Sequence, residues 1–393
     1  MFKKSIFVSL TLCTILSAQS FDIFLQEALQ NSPYLKANML EIKHADEQAN
    51  LLQRYKNPTL SLEASRFSPD VGKSEAGYKA ALTQPIRLWG VGNDRAHLAT
   101  ATKEEAQGLV TLKRAEFVKV FSLLYNKYIT QTALFHLAED EFAISKNIAA
   151  ITKERYDAGT IAQVKYLRVK VDLAGSKNAL NEKKAMQIQS YYKLLAFSGL
   201  RDEKALDDNY DFKLSNRATK EGQNSSAALH YLQTQQKSAN AKARLNANKI
   251  EWMNVYAAYE AEPDQDIVRA GVNIPLAFFN TKKEEKRIAL LQSKQSEFLI
   301  QNQKTALFFT LERLKKQLRI LGDVIGSTRE LYGSQKELLK MYEEGYKIAS
   351  INLLELQNIK NQMIATKEKE IRLQSLKNKN IVIYNYEVGE YNE

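Results

Sequence analysis

Residues 57–90 read NPTLSLEASRFSPDVGKSEAGYKAALTQPIRLWG. Leu60, Leu62 and Ala64 fall on one side of an alternating run, and Thr59, Ser61, Glu63 and Ser65 fall on the other. After a turn rich in Ser, Pro, Asp and Gly, Tyr78, Ala80 and Leu82 alternate with Lys79, Ala81 and Thr83. A period of two marks a strand whose faces meet different surroundings. Each run is about 10 residues, the length a tilted strand needs to cross a bilayer. The stretch predicts a β-hairpin entered at Pro58 and closed by Pro85.

Around this hairpin the chain reads as helix. Phe21 to Tyr55 carries an apolar stripe broken early by Asn31-Ser32-Pro33, where a proline suits a first helical turn. After Leu88-Trp89-Gly90, with Asn93 or Asp94 as the expected cap, a proline-free stretch rich in Ala, Leu, Lys and Glu runs from about Arg95 to Tyr156. At about 1.5 Å per residue it makes a rod of roughly 90 Å, long enough to require coiled-coil packing. Gly159 fits a left-handed helix end, and a second helix follows over about 162–197.

The pattern then repeats. Met253, Val255, Ala257 and Tyr259 alternate with polar neighbours, Glu262-Pro263-Asp264-Gln265 makes a turn, and Val268, Ala270, Val272 and Ile274 lead to Pro275. A second proline-free rod begins near Lys282, with Leu307, Leu311, Leu314, Leu318, Leu321 and Ile325 stepping by four and three. Tyr342-Glu343-Glu344-Gly345 is expected to end it as Tyr156 to Gly159 ends the first. The domain reading is a first repeat over 21–200 (hairpin 58–86, tip 155–161), a connector over 201–222, and a second repeat over 223–393 (hairpin 250–277, tip 342–348). Five of the six prolines (Pro58, Pro69, Pro85, Pro263, Pro275) lie in or beside the hairpins.

Residues 1–20 have the form of a secretory signal, with Lys3 and Lys4 ahead of an apolar run and Ala18-Gln19-Ser20 offering small residues for cleavage after Ser20. Ala18 is a second candidate for that cut. Cleavage removes Cys13, the single cysteine, so disulfide and thiol chemistry are excluded, and it lowers the formal charge from +11 to +9. Leu12 is too large for the residue before a lipidated cysteine. No stretch has 18 consecutive apolar residues, so a membrane helix is not expected, whereas a closed strand barrel remains open to the chain. The lysines are interspersed with acids, as in KKEEKR over 282–287, which reads as a solvated helical surface and not as a nucleic-acid face. His44, His97, His136 and His230 are far apart in sequence, and no nucleophile elbow or phosphate-binding loop is present. The residues indicate no enzyme, no metal and no cofactor.

Four amphipathic strands cannot close a barrel alone, because open edges in lipid leave backbone groups unpaired. Bacterial barrels have at least about eight strands, so strands in a membrane require copies, and three would give about twelve. The apolar faces would meet lipid, with Glu63, Lys79, Glu260 and Arg269 lining a pore. Two amphipathic hairpins packed on helices in a soluble α+β protein would show the same alternation.

The whole expected mature chain resembles the TolC-like outer-membrane efflux protein family. The matching pieces are Glu27-Ala28-Leu29 with Asn31-Ser32-Pro33, Asn57-Pro58-Thr59-Leu60, and Leu82-Thr83-Gln84-Pro85-Ile86. Arg155-Tyr156-Asp157-Ala158-Gly159 with Val164 and Leu167 is a further piece, echoed by Tyr342 to Gly345 with Leu353-Leu354. The resemblance implies a mainly α fold with membrane β, in which long coiled-coil helices form a trimeric α-barrel and four strands per chain enter a twelve-stranded transmembrane β-barrel. It implies a passive exit duct, a homotrimer in the outer membrane with its helices in the periplasm, that docks to a periplasmic adaptor and an inner-membrane transporter. The family's adaptor-contact and gating region falls here on Tyr156, Asp157, Gly159, Thr160, Tyr342 and Gly345, with Asp157, Glu343 and Glu344 as entrance charge. A periplasmic coiled-coil scaffold and a helical pore-forming toxin are the alternatives. The exported substrate is not legible.

Overall fold

The structure, a computed structural model, describes residues 18–68, 70–217 and 225–392. The leader up to Ser17 with its Cys13, Pro69 in the first hairpin turn, and the part of the connector over 218–222 lie outside the described residues. The elements run α1 (Phe21–Asn31), α2 (Pro33–Gln53), β1 (Thr59–Phe67), β2 (Glu75–Arg87), α3 (Val91–Asp157) and α4 (Gln163–Ser198). They continue with α5 (Ala227–Leu245), β3 (Trp252–Glu262), β4 (Gln265–Asn273), α6 (Lys283–Lys347) and α7 (Leu353–Glu387). The chain is mostly helical, with one four-stranded antiparallel sheet. By contacts it divides into two compact units, one of Leu35 and earlier residues, Glu116–Asn216 and Leu311–Tyr386, the other of Lys36–Ala115, Arg217–Thr310 and Glu387–Glu393.

The first unit is helical. Phe21 at the start of α1 is the hub of an aromatic cluster, with ring centroids 4.5 Å from Tyr210, 4.9 Å from Tyr125, 5.2 Å from Phe212 and 5.9 Å from Phe121. Four apolar rings packed edge-on and tilted exclude water from the end of α1 and hold the connector residues Tyr210 and Phe212 against α3. Further along, Ile148, Ile151, Val169, Leu339, Leu353, Leu356, Ile359 and Met363 form a second buried cluster from α3, α4, α6 and α7. The heptad positions Leu311, Leu314, Leu321 and Ile325 are buried on α6, and Leu318 is partly so. Lys360 is fully buried, and its Nζ donates to Asp172 Oδ2 at 2.7 Å and Ser145 Oγ at 3.1 Å. A buried ammonium is tolerated only when paired and hydrogen-bonded, so this contact ties α7 to α4 and α3.

The second unit contains the sheet, in the order β1-β2-β3-β4, each neighbour antiparallel. The two hairpins join through β2 and β3, with Tyr78 opposite Ala261 and Arg87 opposite Trp252. In the single chain β1 and β4 are edge strands. Helices α3 and α5 approach closely in this unit. A Cβ on Gly108 would stand 2.8 Å from Thr234 Oγ1, so only glycine admits that contact.

Three local expectations are corrected. Pro85 does not close the first hairpin, since β2 runs on to Arg87. The last β1 pairing is Thr59 with Thr83, so beyond Thr83 β2 has a neighbour only on the β3 side, and a residue without N–H fits there. Asn93 and Asp94 do not precede α3, which begins at Val91 after Gly90 turns the chain with φ +84°. Asp94 instead lies in the first turn and pairs with Arg244 Nε at 2.7 Å. Finally, α6 does not break at Gly345 but continues to Lys347.

Candidate functional site

The sheet separates its two faces by register. Leu60 lies opposite Leu82, Leu62 opposite Ala80, Leu82 opposite Ala257, Tyr259 opposite Val268, and Val255 opposite Val272. Leu60, Leu62, Tyr78, Leu82, Tyr259, Val268 and Val272 are all exposed in the single chain. A contiguous apolar sheet face of this kind is not left in water by a stable protein.

The other face carries the four residues expected to line a pore. Glu63 lies opposite Lys79, which lies opposite Glu260, and Arg269 sits beside them opposite Ala258. Lys79 Nζ is 3.3 Å from Glu63 Oε2, and Arg269 pairs with the Glu260 carboxylate. The order across the strands is acid, base, acid, base, so each charge is met by its neighbour and the four sum to zero. Gly271 on this face is covered by the Tyr256 ring, which leaves no room for a Cβ.

At the foot of the sheet, Glu251 is the anchor. Arg95 on α3 and Lys282 before α6 both pair with its carboxylate. Burial raises its pKa, but the hydrogen bonds from Lys282 and Arg95 outweigh that and hold the carboxyl below its ordinary value. Trp252 receives Lys56, Arg87 and Arg95 over its ring at 5.2, 5.1 and 5.6 Å. Trp89, Phe278 and Phe279 just beyond β2 and β4 are exposed.

In the helical unit the two tips have the same backbone construction. After α3, Gly159 (φ +72°) donates its N–H to Tyr156 O, and Thr160 donates both N–H and Oγ1 to Arg155 O. After α6, Ala349 (φ +67°) donates its N–H to Tyr346 O, and Ser350 donates both N–H and Oγ to Gly345 O. Both are left-handed helix terminations. The counterpart of Gly159 is therefore Ala349 and that of Tyr156 is Tyr346, one turn later than Gly345 and Tyr342. Tyr342, Glu343, Glu344 and Gly345 all lie inside α6.

The tips are joined by a contact the sequence reading missed. Arg155 Nη1 donates to Tyr346 O at 2.7 Å, and its guanidinium sits 4.8 Å over the Tyr346 ring. Tyr346 is almost fully buried, with its hydroxyl 3.0 Å from Thr152 Oγ1. The Thr152 hydroxyl has one proton and gives it to Ile148 O at 2.7 Å, so Tyr346 is the donor to Thr152. Tyr156 stacks on Tyr166 at 5.1 Å. Of the three acids expected at the entrance, Asp157 and Glu344 are exposed. Glu343 is half-buried, and burial raises its carboxyl pKa against the lowering hydrogen bond from the Asn147 side chain. Among the described residues no His, Cys, Asp or Glu cluster is arranged to hold a metal ion.

Residues 24–200 match the family model for outer membrane efflux proteins. No curated protein matches the chain. Among solved structures, the outer-membrane channel OprN superposes with a TM-score of 0.79 at 13% identity, over 95% of this chain and 90% of that one. The outer membrane protein VceC from Vibrio cholerae superposes with a TM-score of 0.76 at 14% identity, over 94% of this chain and 95% of that one. The Campylobacter jejuni CmeC outer membrane channel gives a TM-score of 0.77 at 12% identity, over 94% and 85%. At these identities the superpositions speak to the fold alone.

Proposed function

From the match of residues 24–200 to the outer membrane efflux protein family we infer that the chain is a member of it and serves as the outer-membrane exit duct of a tripartite export system. The observation that carries the reading is the four-stranded sheet, apolar on one face, charge-paired on the other, and open at both edges. Strands of 9 to 13 residues match a tilted crossing of the hydrocarbon layer. The open edges demand further strands, and three copies closing on each other supply them without any unpaired edge in lipid. The apolar face then meets lipid, and Glu63, Lys79, Glu260 and Arg269 face a water-filled lumen.

In this reading the duct is passive, and energy comes from an inner-membrane transporter reached through a periplasmic adaptor. The two helix turns form the entrance and the adaptor contact, at Tyr156, Asp157, Gly159 and Thr160 in one repeat and at the α6 end in the other. Asp157 and Glu344, being exposed, carry the entrance charge. The Arg155–Tyr346 contact holds the two turns together in the closed state. Glu343 contributes to packing beside Asn147.

The deciding experiment is fractionation of the cell envelope followed by electrophoresis with and without heating. The expected result is an outer-membrane species that runs as a trimer unheated and as a monomer after boiling. A soluble periplasmic monomer overturns the reading.

A further inference from the structure

We propose that the leader is removed between Ala18 and Gln19, so that Gln19, and not Phe21, is the first residue of the mature chain. Both Gln19 and Ser20 are built into the fold. Gln19 N–H donates to Ala205 O at 2.7 Å, and Asp207 N–H donates to Gln19 O at 3.0 Å, a parallel bridge to the connector at Leu206. The Gln19 side-chain amide donates to Glu27 Oε2 at 3.0 Å, and the same carboxylate is paired with Lys204. Ser20 caps α1, its Oγ accepting from Ile23 N–H and its carbonyl accepting from Phe24 N–H at 3.1 Å.

A cut after Ser20 removes the bridge, the amide contact and the cap together. It also places a free ammonium on Phe21, the buried hub of the aromatic cluster, at the positive end of a helix where a cation is disfavoured. A cut after Ala18 keeps every one of these contacts. The new ammonium then falls on Gln19 N, which already donates to Ala205 O. That ammonium carries more donors than the amide it replaces, and Gln19 Oε1 on the same residue is a buried acceptor that has no partner among the described residues. Ala18 is a small residue of the type a signal peptidase accepts before the scissile bond, with Leu16 standing where the cut after Ser20 would have Ala18.

The test is mass spectrometry of the amino-terminal peptide of the full-length protein purified from cell envelopes, together with a Ser20→Leu variant. The expected peptide begins at Gln19. It is also accepted lighter by one ammonia, when the α-nitrogen bonds to the side-chain Cδ and the amide nitrogen leaves. In Ser20→Leu the leader is removed with the wild-type peptide start, because residue 20 is then two positions beyond the cut. A peptide beginning at Phe21, a lipid-bearing peptide beginning at Cys13, an uncleaved leader, or retention of the leader in Ser20→Leu alone overturns the proposal. None of these outcomes bears on whether the chain is a duct.

Discussion

Arg155 grips Tyr346 twice, through a 2.7 Å hydrogen bond to its carbonyl oxygen and a cation–π contact at 4.8 Å to its ring. One side chain at the end of α3 thus satisfies a main-chain acceptor in the last turn of α6 and covers the aromatic ring beside it.

Arg155→Ala removes both interactions and is expected to cost about 2 kcal/mol of stability in the helical unit. Tyr346→Phe keeps the ring and loses only the bond to Thr152, at a cost of about 1 kcal/mol. Denaturant midpoints of the detergent-solubilised protein measure both. If the contact holds the entrance closed, Arg155→Ala also raises single-channel conductance in a planar bilayer, and Tyr346→Phe raises it less. Unchanged conductance in both would remove the contact from the gate.

Ala349 adopts φ +67° without being glycine. A left-handed alanine costs roughly 1–2 kcal/mol, and glycine there gives back part of that to chain entropy. Ala349→Gly is therefore expected to stabilise by up to about 1 kcal/mol. Gly345→Ala should do the reverse, since its Cβ would stand 2.5 Å from Ile351 Cγ1. Equilibrium unfolding of the two variants side by side tests the assignment of the turn.

Ala349 also marks what the sequence withheld. The period-two runs, the clustered prolines and the Leu307–Ile325 seam made the mixture of long helices and paired hairpins legible. Gly345 reads in the sequence as the helix stop, which sets the second tip one turn too early. The stop is a backbone conformation, and here an alanine adopts it, with Ser350 repeating what Thr160 does. The Arg155–Tyr346 contact and the burial of Lys360 had no sequence signal. Each depends on which faces of distant helices meet, and a lysine that will be buried reads the same as one in water.

The two faces of β1 should respond oppositely to charge. Leu62→Arg places a cation on the apolar face and is expected to cost about 2–4 kcal/mol at the bilayer midplane. Ser61→Arg, one residue away on the polar face, should leave the amount of protein recovered in the outer-membrane fraction unchanged. Lys79→Glu turns a balanced set of four charges into three acids and one base. The reversal potential in a salt gradient is then expected to shift toward cation preference. Equal tolerance of Leu62→Arg and Ser61→Arg would contradict the assignment of faces.

Glu343 gives the pH dependence. Its folded pKa is raised above the reference value of 4.5 by burial. Its contribution to stability is therefore full below 4.5 and is lost as pH rises through the folded pKa. Glu343→Gln should raise the melting midpoint at neutral pH and give no advantage below pH 4.5. Glu251, whose folded pKa is lowered, acts in the opposite sense, stabilising above 4.5 and failing as acid titrates it. Melting curves across pH for wild type, Glu343→Gln and Glu251→Gln separate the two.

The pairing of Arg87 with Trp252 sets a timetable. When β1 and β2 leave the export machinery, the strand that will lie beside β2 has not yet crossed. A lone two-stranded hairpin is marginal in water, and this one keeps a wet apolar face and an unpaired long edge until the second hairpin arrives. Assembly therefore passes through an obligatory waiting period in which the first hairpin is sticky. A periplasmic holding factor that binds extended apolar segments should capture nascent chains truncated before Trp252 and release those extended past Asn273.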